Sequence, residues 1–588
     1  MTDQRVTTFN LLRRLQEHMN TDVPTRIASK AVSAFKLKPP TVPDSSESYV
    51  NVFVYPQDPF VSEPEVRQMS AQFIQPNLVN HRFQISDAGF ELAQPDAQGN
   101  YLFTPDHSQF DQVNSFYYAT FTLRMFERYA YRHIPWSFGA DRITIDPHAG
   151  TGANAFYSEP DRLIGFNGFV VDGERIESAQ SADIVSHETA HAVLDGIRDL
   201  YNESFGLGAA AFHESFGDMA AILVALHDDS LIKRLLDWTK GDLRIDNFIA
   251  SLAEQITERA RSQGELLPER TIYLRNALNI FKDVPFDALA LQTITPEFEI
   301  LRESHSYSRV FTGAFYDILV AVYEQTRKKS IDHLAIHIAR DVVGHLLVTA
   351  VELAPVGELD FSDIARAFLA ADALLYEKAY TEILVKTFAD RAILSDSDAR
   401  QFMISLSDLP PIRLSHSVDS PESAAAFLQS TLLPALSIPS EIELKPLSAH
   451  RNDLGNIFMT FAVPRRIMLS GAQFHPFDGS HVDAFGGLTV AFDASGLLRS
   501  MIWRPVTDED TRQIQILTAD LIARGLVIGV SAGQASFYEI TTPSGFRLEN
   551  IAPPNTLLKN PVIADQLPGK VGDLLAFLRA WRKTYMKH

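Results

Sequence analysis

The chain of 588 residues contains no cysteine. That excludes disulfides, thiolate catalysis and thiolate-held metals, so a metal site here must be built from His, Asp and Glu. Basic residues are in deficit: 52 Lys+Arg stand against 73 Asp+Glu, a net charge of −21. A surface of that sign repels phosphate backbones and anionic membranes, which argues against nucleic acid as a partner. No stretch approaches the ~18 uninterrupted apolar residues of a membrane span. Met1-Thr2-Asp3-Gln4-Arg5 also lacks the basic-then-apolar layout of a secretory signal. The expectation is a cytoplasmic protein, or one exported by another route. With 29 Gly and 31 Pro in no regular pattern, collagen-like and low-complexity chains are excluded as well.

What is present is ordinary globular material, 46% hydrophobic and 21% charged, in a chain long enough for several cores. Four segments emerge. Residues 1–45 carry Phe9, Leu12, Leu15 and Met19 at helical spacing, then a Pro-rich linker at 38–43. That helix packs on its own protein or, given Arg13 and Arg14, lies on a membrane surface. Residues 46–195 mix short apolar runs such as Tyr49–Tyr55, 142–145 and 163–166 with a helix over 111–133. Helical periodicity then takes over, at 181–200, 209–227, 247–262, 308–326, 331–353 and 361–388, making 196–395 a helical segment. Strands return in 396–588, including a hairpin through Asp493-Ala494-Ser495-Gly496. The fold class is therefore α+β, a β-rich part followed by a helical part, with an appended domain of unassigned role.

The most informative segment is Ser186-His187-Glu188-Thr189-Ala190-His191. Positions four apart stack on one helix face, so His187 and His191 can aim two imidazoles at one point with Glu188 beside them. A catalytic zinc needs a third protein ligand and an open position for water. Glu214, in Phe212-His213-Glu214-Ser215-Phe216-Gly217-Asp218, supplies a carboxylate on another helix. Asp218, one turn further, can accept the outer N–H of a ligand histidine. The apolar neighbours Phe212, Phe216, Ala220 and Leu223 bury that face, and buried carboxylates need partners.

These residues resemble the thermolysin-type zinc metallopeptidases over about residues 105–390. The resemblance implies a two-subdomain peptidase fold, one catalytic Zn2+ held by His187, His191 and Glu214, Glu188 as general base, and Asp218 behind the ligands. The spacer between His191 and Glu214 is a few residues longer than usual in that family, and a bulge around Phe205–Gly208 would absorb it. Val113–Tyr118 resembles the helix preceding the active-site strand. Asn154-Ala155-Phe156-Tyr157 resembles the edge strand on which substrate lies, so Asn154 and Ala155 would bind substrate main chain. Tyr201 and His305 resemble the residues that stabilise the tetrahedral intermediate, although either could instead be a structural side chain. Arg275 is similar to the arginine that grips a substrate carbonyl. Asp183 matches a calcium ligand of the family, but Ala225 stands where the next calcium glutamate belongs. That argues against the paired Ca2+ site, although Asp228 and Asp229 lie close by. No Gly-x-Met-Glu-Asn segment is present, which sets the related aminopeptidases aside.

The expected activity is a zinc endopeptidase acting on peptide or protein substrates. Its pocket would be lined by Ile184, one turn before His187, and by resemblance Leu274, favouring bulky apolar residues after the scissile bond. The alternative is a non-catalytic scaffold on a peptidase fold. Glu188 argues against it, since metal binding alone needs no base. A further cluster, His475, Asp478, His481 and Asp483, reads either as a polar loop or as a second metal site.

Overall fold

In the computed structural model, which describes residues 48–523 except 153, 172–173, 201–206, 253–274, 290–298, 415–417, 419, 437–441, 443, 476–477 and 480, together with 528–529 and 538–539, the first element is a strand. β1 (Tyr49–Val54) buries Val52 and Val54, alternating as a half-buried strand must, and pairs antiparallel with β2 (Glu65–Ser70). The expected segment 1–45 lies outside the described residues.

A mixed sheet follows. β3 (Phe83–Ile85), β4 (Ile143–Thr151) and β6 (Leu163–Val171) run parallel, while β5 (Ala155–Ser158) and β7 (Glu174–Glu177) pair antiparallel along the other side of β6. β5 is thus an edge strand. α1 (Ser108–Ala130) covers β3 and β4 and ends where Tyr131 turns left-handed at φ 53°. Within α1, Asn114 donates from Nδ2 to the carbonyls of Ala179 and Gln180, at 2.8 and 3.1 Å. This fixes the chain entering α2 (Ala182–Ile197), which carries the histidine pair and packs against α1 and β5.

α3 (Leu207–Ala225) is buried at every position from Ala209 onward. Its small residues, Ala209, Ala210, Ala211, Gly217, Ala220 and Ala221, let α2 approach on one side and α5 (Ser304–Arg327) on the other, with α4 (Asp229–Thr239) lying between α3 and α5 in the chain. α6 (Asp332–Leu353) packs on α5, α7 (Phe361–Tyr376) and α1, and α8 (Thr381–Asp390) and α9 (Asp396–Ser407) close the helical part. By length and composition α6 could cross a membrane, but it is mostly buried inside the protein.

Two expected helices come out differently. In the described part of 247–262, residues 247–250 form a turn and Ser251–Leu252 a short strand, β8, pairing with β9 (Arg275–Asn276). The Asn247 side chain accepts the N–H groups of Ile249 and Ala250, both at 3.1 Å, and so replaces helix with turn. The helix expected over 361–388 breaks at Glu377 and Lys378, with φ of 52° and 70°. There the buried Asp372 carboxylate captures the Tyr380 N–H at 3.1 Å.

One core runs continuously from the mixed sheet through these helices and reaches Ala399, Met403 and Leu406 of α9, beyond residue 395. A second gathers from Ile412 onward on an antiparallel sheet of β10 (Lys445–Arg451), β11 (Ile457–Met468), β12 (His481–Phe492) and β13 (Leu498–Arg504). The β12–β13 hairpin turns where expected, with Gly496 at φ 77° and Asp493 Oδ1 accepting the Ser495 and Leu497 N–H groups. This sheet docks on the helices. Arg504 spans Asp363 and Asp510, His450 and Arg132 share Glu352, and Thr489 donates to the Ala354 carbonyl. A side chain on Gly357 would collide with the Phe485 carbonyl, so backbone meets backbone at that seam.

Candidate metal centre

α2 and α3 lie face to face, and their close approach builds the site. His187, Glu188 and His191 project from α2 with ligand atoms within 4.8 Å of one another, all three buried. From α3, Glu214 places Oε2 at 3.3 Å from His187 Nε2 and Oε1 at 3.9 Å from His191 Nε2. Ligands ~2.05 Å from a common tetrahedral zinc lie about 3.3 Å apart. The observed separations suit ligands sharing one cation better than partners bonded to each other. Glu214 Oε2 is buried and closes no hydrogen bond of good geometry. A buried carboxylate that turns Oε2 to His187 Nε2 and Oε1 to His191 Nε2 fits a cation between it and the two rings.

The outer nitrogens of both histidines are held. His187 Nδ1 sits 3.2 Å from Oδ1 of the fully buried Asp218, which also takes Arg275 Nε at 2.8 and 3.0 Å and Thr312 Oγ1 at 3.3 Å. Asp218 draws the His187 proton toward Nδ1 and turns Nε2 toward Glu214, while Arg275 Nη2 also approaches Nδ1 at 3.4 Å. His191 Nδ1 meets His213 Nδ1 at 2.8 Å, and His213 Nε2 meets Asp195 Oδ1 at 2.9 Å. Sequence reading missed this buried relay. Its signals were there: Asp195 continues the four-residue stripe of His187 and His191, and His213 immediately precedes Glu214.

Burial lowers the pKa of His187, but Asp218 and Glu214 outweigh it and push it up to about 9. Burial raises Glu214, yet the charges of His305, His191 and His187 hold it well below the usual carboxylate range. A raised His187 and a lowered Glu214 are the balance that a cation at their focus would also supply.

α5 delivers His305 to the mouth of the site. Glu303 caps that helix, accepting the His305 and Ser306 N–H groups at 2.9 Å each, and also takes His305 Nδ1 at 2.6 Å. This aims Nε2 at Glu214 Oε2, 3.3 Å away, on a ring that is 48% exposed and so open to a ligand. Burial lowers the His305 pKa, but Glu214 and Glu303 together raise it.

The remaining expected residues are placed as follows. Arg275 reaches the centre, where its Nε is committed to Asp218. Asn154 is exposed and Ala155 half-buried at the start of edge strand β5; the Asn154 carbonyl is fixed by Asn167 N and Ser178 Oγ at 3.0 Å each. Ile184 is half-buried on the first turn of α2. Tyr201 and Leu274 lie outside the described residues, as do Phe205 and Gly206 of the expected bulge, while its Leu207 and Gly208 open α3 as helix. Asp228 caps α4 and pairs with Arg67 at 2.6 Å, while Asp229 faces His337 at 3.2 Å. Both candidate calcium replacements are thus engaged.

Among the described residues two other groups could hold a metal: Asp229 with His333 and His337, and Asp111 with His148 and Glu177. In the first, Arg340 Nη1 lies 2.9 Å from His337 Nδ1, which keeps the ring proton on the nitrogen facing Asp229 and so opposes ligation there. The described residues of the 475–483 cluster form no such group, and Asp478 accepts the Gly471 N–H at 2.8 Å, a loop contact.

Compared with known proteins, the chain matches no family model and no curated protein, so the functional reading rests on its own residues.

Proposed function

We propose that this chain is a zinc-dependent endopeptidase of thermolysin-like design. The observation that carries the reading is the convergence of His187 Nε2, His191 Nε2 and the Glu214 carboxylate at ligand-like separations, with Glu188 on the same helix beside them. His187, His191 and Glu214 would hold the ion. Zinc there would polarise a scissile carbonyl and acidify the attacking water.

The chain's own residues do the rest. Glu188 takes the proton of the attacking water and passes it to the leaving amine. His305, oriented by Glu303, donates a hydrogen bond to the oxygen on which negative charge develops, a contribution of ~3–4 kcal/mol for a well-placed donor. Edge strand β5 receives the substrate as an added strand. Ile184, beside the ligands, favours a bulky apolar side chain after the scissile bond, graded by size because each methylene is worth only ~1–3 kcal/mol.

Glu188→Gln tests the assignment. The expected result is one zinc retained per chain with casein hydrolysis all but abolished. Zinc loss from a folded variant would overturn the role of Glu188, and a wild-type protein that binds zinc without hydrolysing peptides would make the chain a binding protein.

A further inference from the structure

The cluster Asp111, His148 and Glu177 has a construction of its own. Asp111 comes from α1, His148 from β4 and Glu177 from β7, and their ligand atoms lie within 4.8 Å of one another. The His148 ring is gripped from outside: Asp87 Oδ2 sits 2.9 Å from Nδ1, and Phe90 lies against the ring with centroids 4.4 Å apart. Asp87 is held in turn by Gln112 Nε2 at 2.6 Å. A carboxylate on Nδ1 fixes the proton there and directs Nε2 inward, the support found behind metal-binding histidines.

Inside, Nε2 and Asp111 Oδ2 are hydrogen-bonded to each other at 2.9 Å, closer than two ligands of one cation, so an ion entering here replaces the shared proton and parts them, while Asp111 Oδ1 accepts Gln180 Nε2 at 2.7 Å. Glu177 pairs with Arg175 through Oε1, but its Oε2 is buried with no hydrogen-bond partner. Only a glycine leaves room for that oxygen, since a side chain on Gly168 would collide with it. A buried carboxylate oxygen without a partner costs free energy unless a charge meets it.

We propose that Asp111, His148 and Glu177 form a second divalent-cation site, positioned by Asp87 and separate from the His187 centre. One nitrogen and carboxylate oxygens suit a borderline cation such as Zn2+. On binding, His148 Nε2 releases its proton to solvent and turns its lone pair to the ion. The site would tie α1 to the sheet that carries the β5 edge.

The test is calorimetric titration of metal-free full-length protein with Zn2+. Wild type should bind two equivalents, and Glu177→Gln and Asp111→Asn, which keep shape, should each bind one. His191→Ala should also lose one equivalent, a different one, so that combining it with Glu177→Gln abolishes binding. If His191→Ala left the count unchanged while Glu177→Gln lowered it, the proposed catalytic centre would fail and this site would stand. Wild-type stoichiometry and affinity in both Glu177→Gln and Asp111→Asn would overturn it. Each variant's cooperative melting in chelator confirms that the fold is intact, and His148→Gln provides a third substitution should either fail that check.

Discussion

A methyl group on Gly217 would sit 2.5 Å from Nδ1 of His187. The ring packs directly on the α3 backbone, between Glu214 and Asp218, and the atoms it would strike belong to a rigid imidazole. Gly217→Ala should therefore displace His187 and weaken zinc binding at least tenfold, although alanine is the better helix former. Competition with a chelating dye measures this. Unchanged affinity would mean that His187 is not a ligand.

The His213 relay gives a second expectation. His213→Ala leaves His191 Nδ1 without the histidine it meets at 2.8 Å, and zinc affinity should fall about 10- to 100-fold. An amide can both donate and accept, so His213→Asn should recover part of the loss. Equal affinities in wild type and His213→Ala would exclude an orienting role.

For His305 the partner matters as much as the ring. Glu303→Gln removes the charge that orients Nδ1, and kcat should drop about tenfold with KM little changed. His305→Phe should cost about 10²–10³ in kcat. A rise in KM alone in both variants would place His305 in substrate binding.

Calcium should have little effect. Asp228 is engaged by Arg67 and the α4 backbone, and Asp229 by His337, while Ala225 offers no carboxylate; hard cations need several oxygens. Millimolar Ca2+ should shift the melting temperature by no more than about 2 °C, and a shift several times larger would contradict this reading.

His148 predicts an alkaline weakness in the metal-free protein. Burial lowers its pKa, but Asp111 and Asp87 outweigh burial and push it up to about 9, above the ordinary 6.5. A raised pKa stabilises the fold fully below 6.5 and loses that contribution as pH rises through about 9. In chelator, the melting-temperature gap between wild type and His148→Gln should be wide at pH 6 and narrow at pH 10. A gap independent of pH would show that the ring is not charged in the folded state.

The residues that converge between α2 and α3 were legible because helix geometry converts spacing into direction. His187 and His191, four apart, needed no tertiary knowledge, and the same spacing from Glu214 gave Asp218. His213 and Gly217 were not legible, since their roles depend on which side of α3 meets α2, a matter of packing between helices rather than of periodicity within one. Glu303 was hidden for a related reason: a glutamate before a helix reads as a cap, and its second task appears only once His305 folds back over it. In the fold, the turn at 247–250 and the break at 377–378 escaped notice because single side chains, Asn247 and Asp372, capture backbone N–H groups against an otherwise helical pattern.

The seam at Gly357 bears on how the protein comes apart. Where Gly357 meets the Phe485 carbonyl there is no layer of side chains to shear, and the Arg504–Asp363 ion pair and the His450–Glu352 contact straddle the same junction. Prying the β10–β13 sheet from the helices would uncover Phe458, Ala491 and Ile502, which belong to the larger core. Limited proteolysis near residue 410 should therefore leave the two pieces associated, and calorimetry should record a single transition for them. A shortened version ending at α9 would begin life with an open wound in its core.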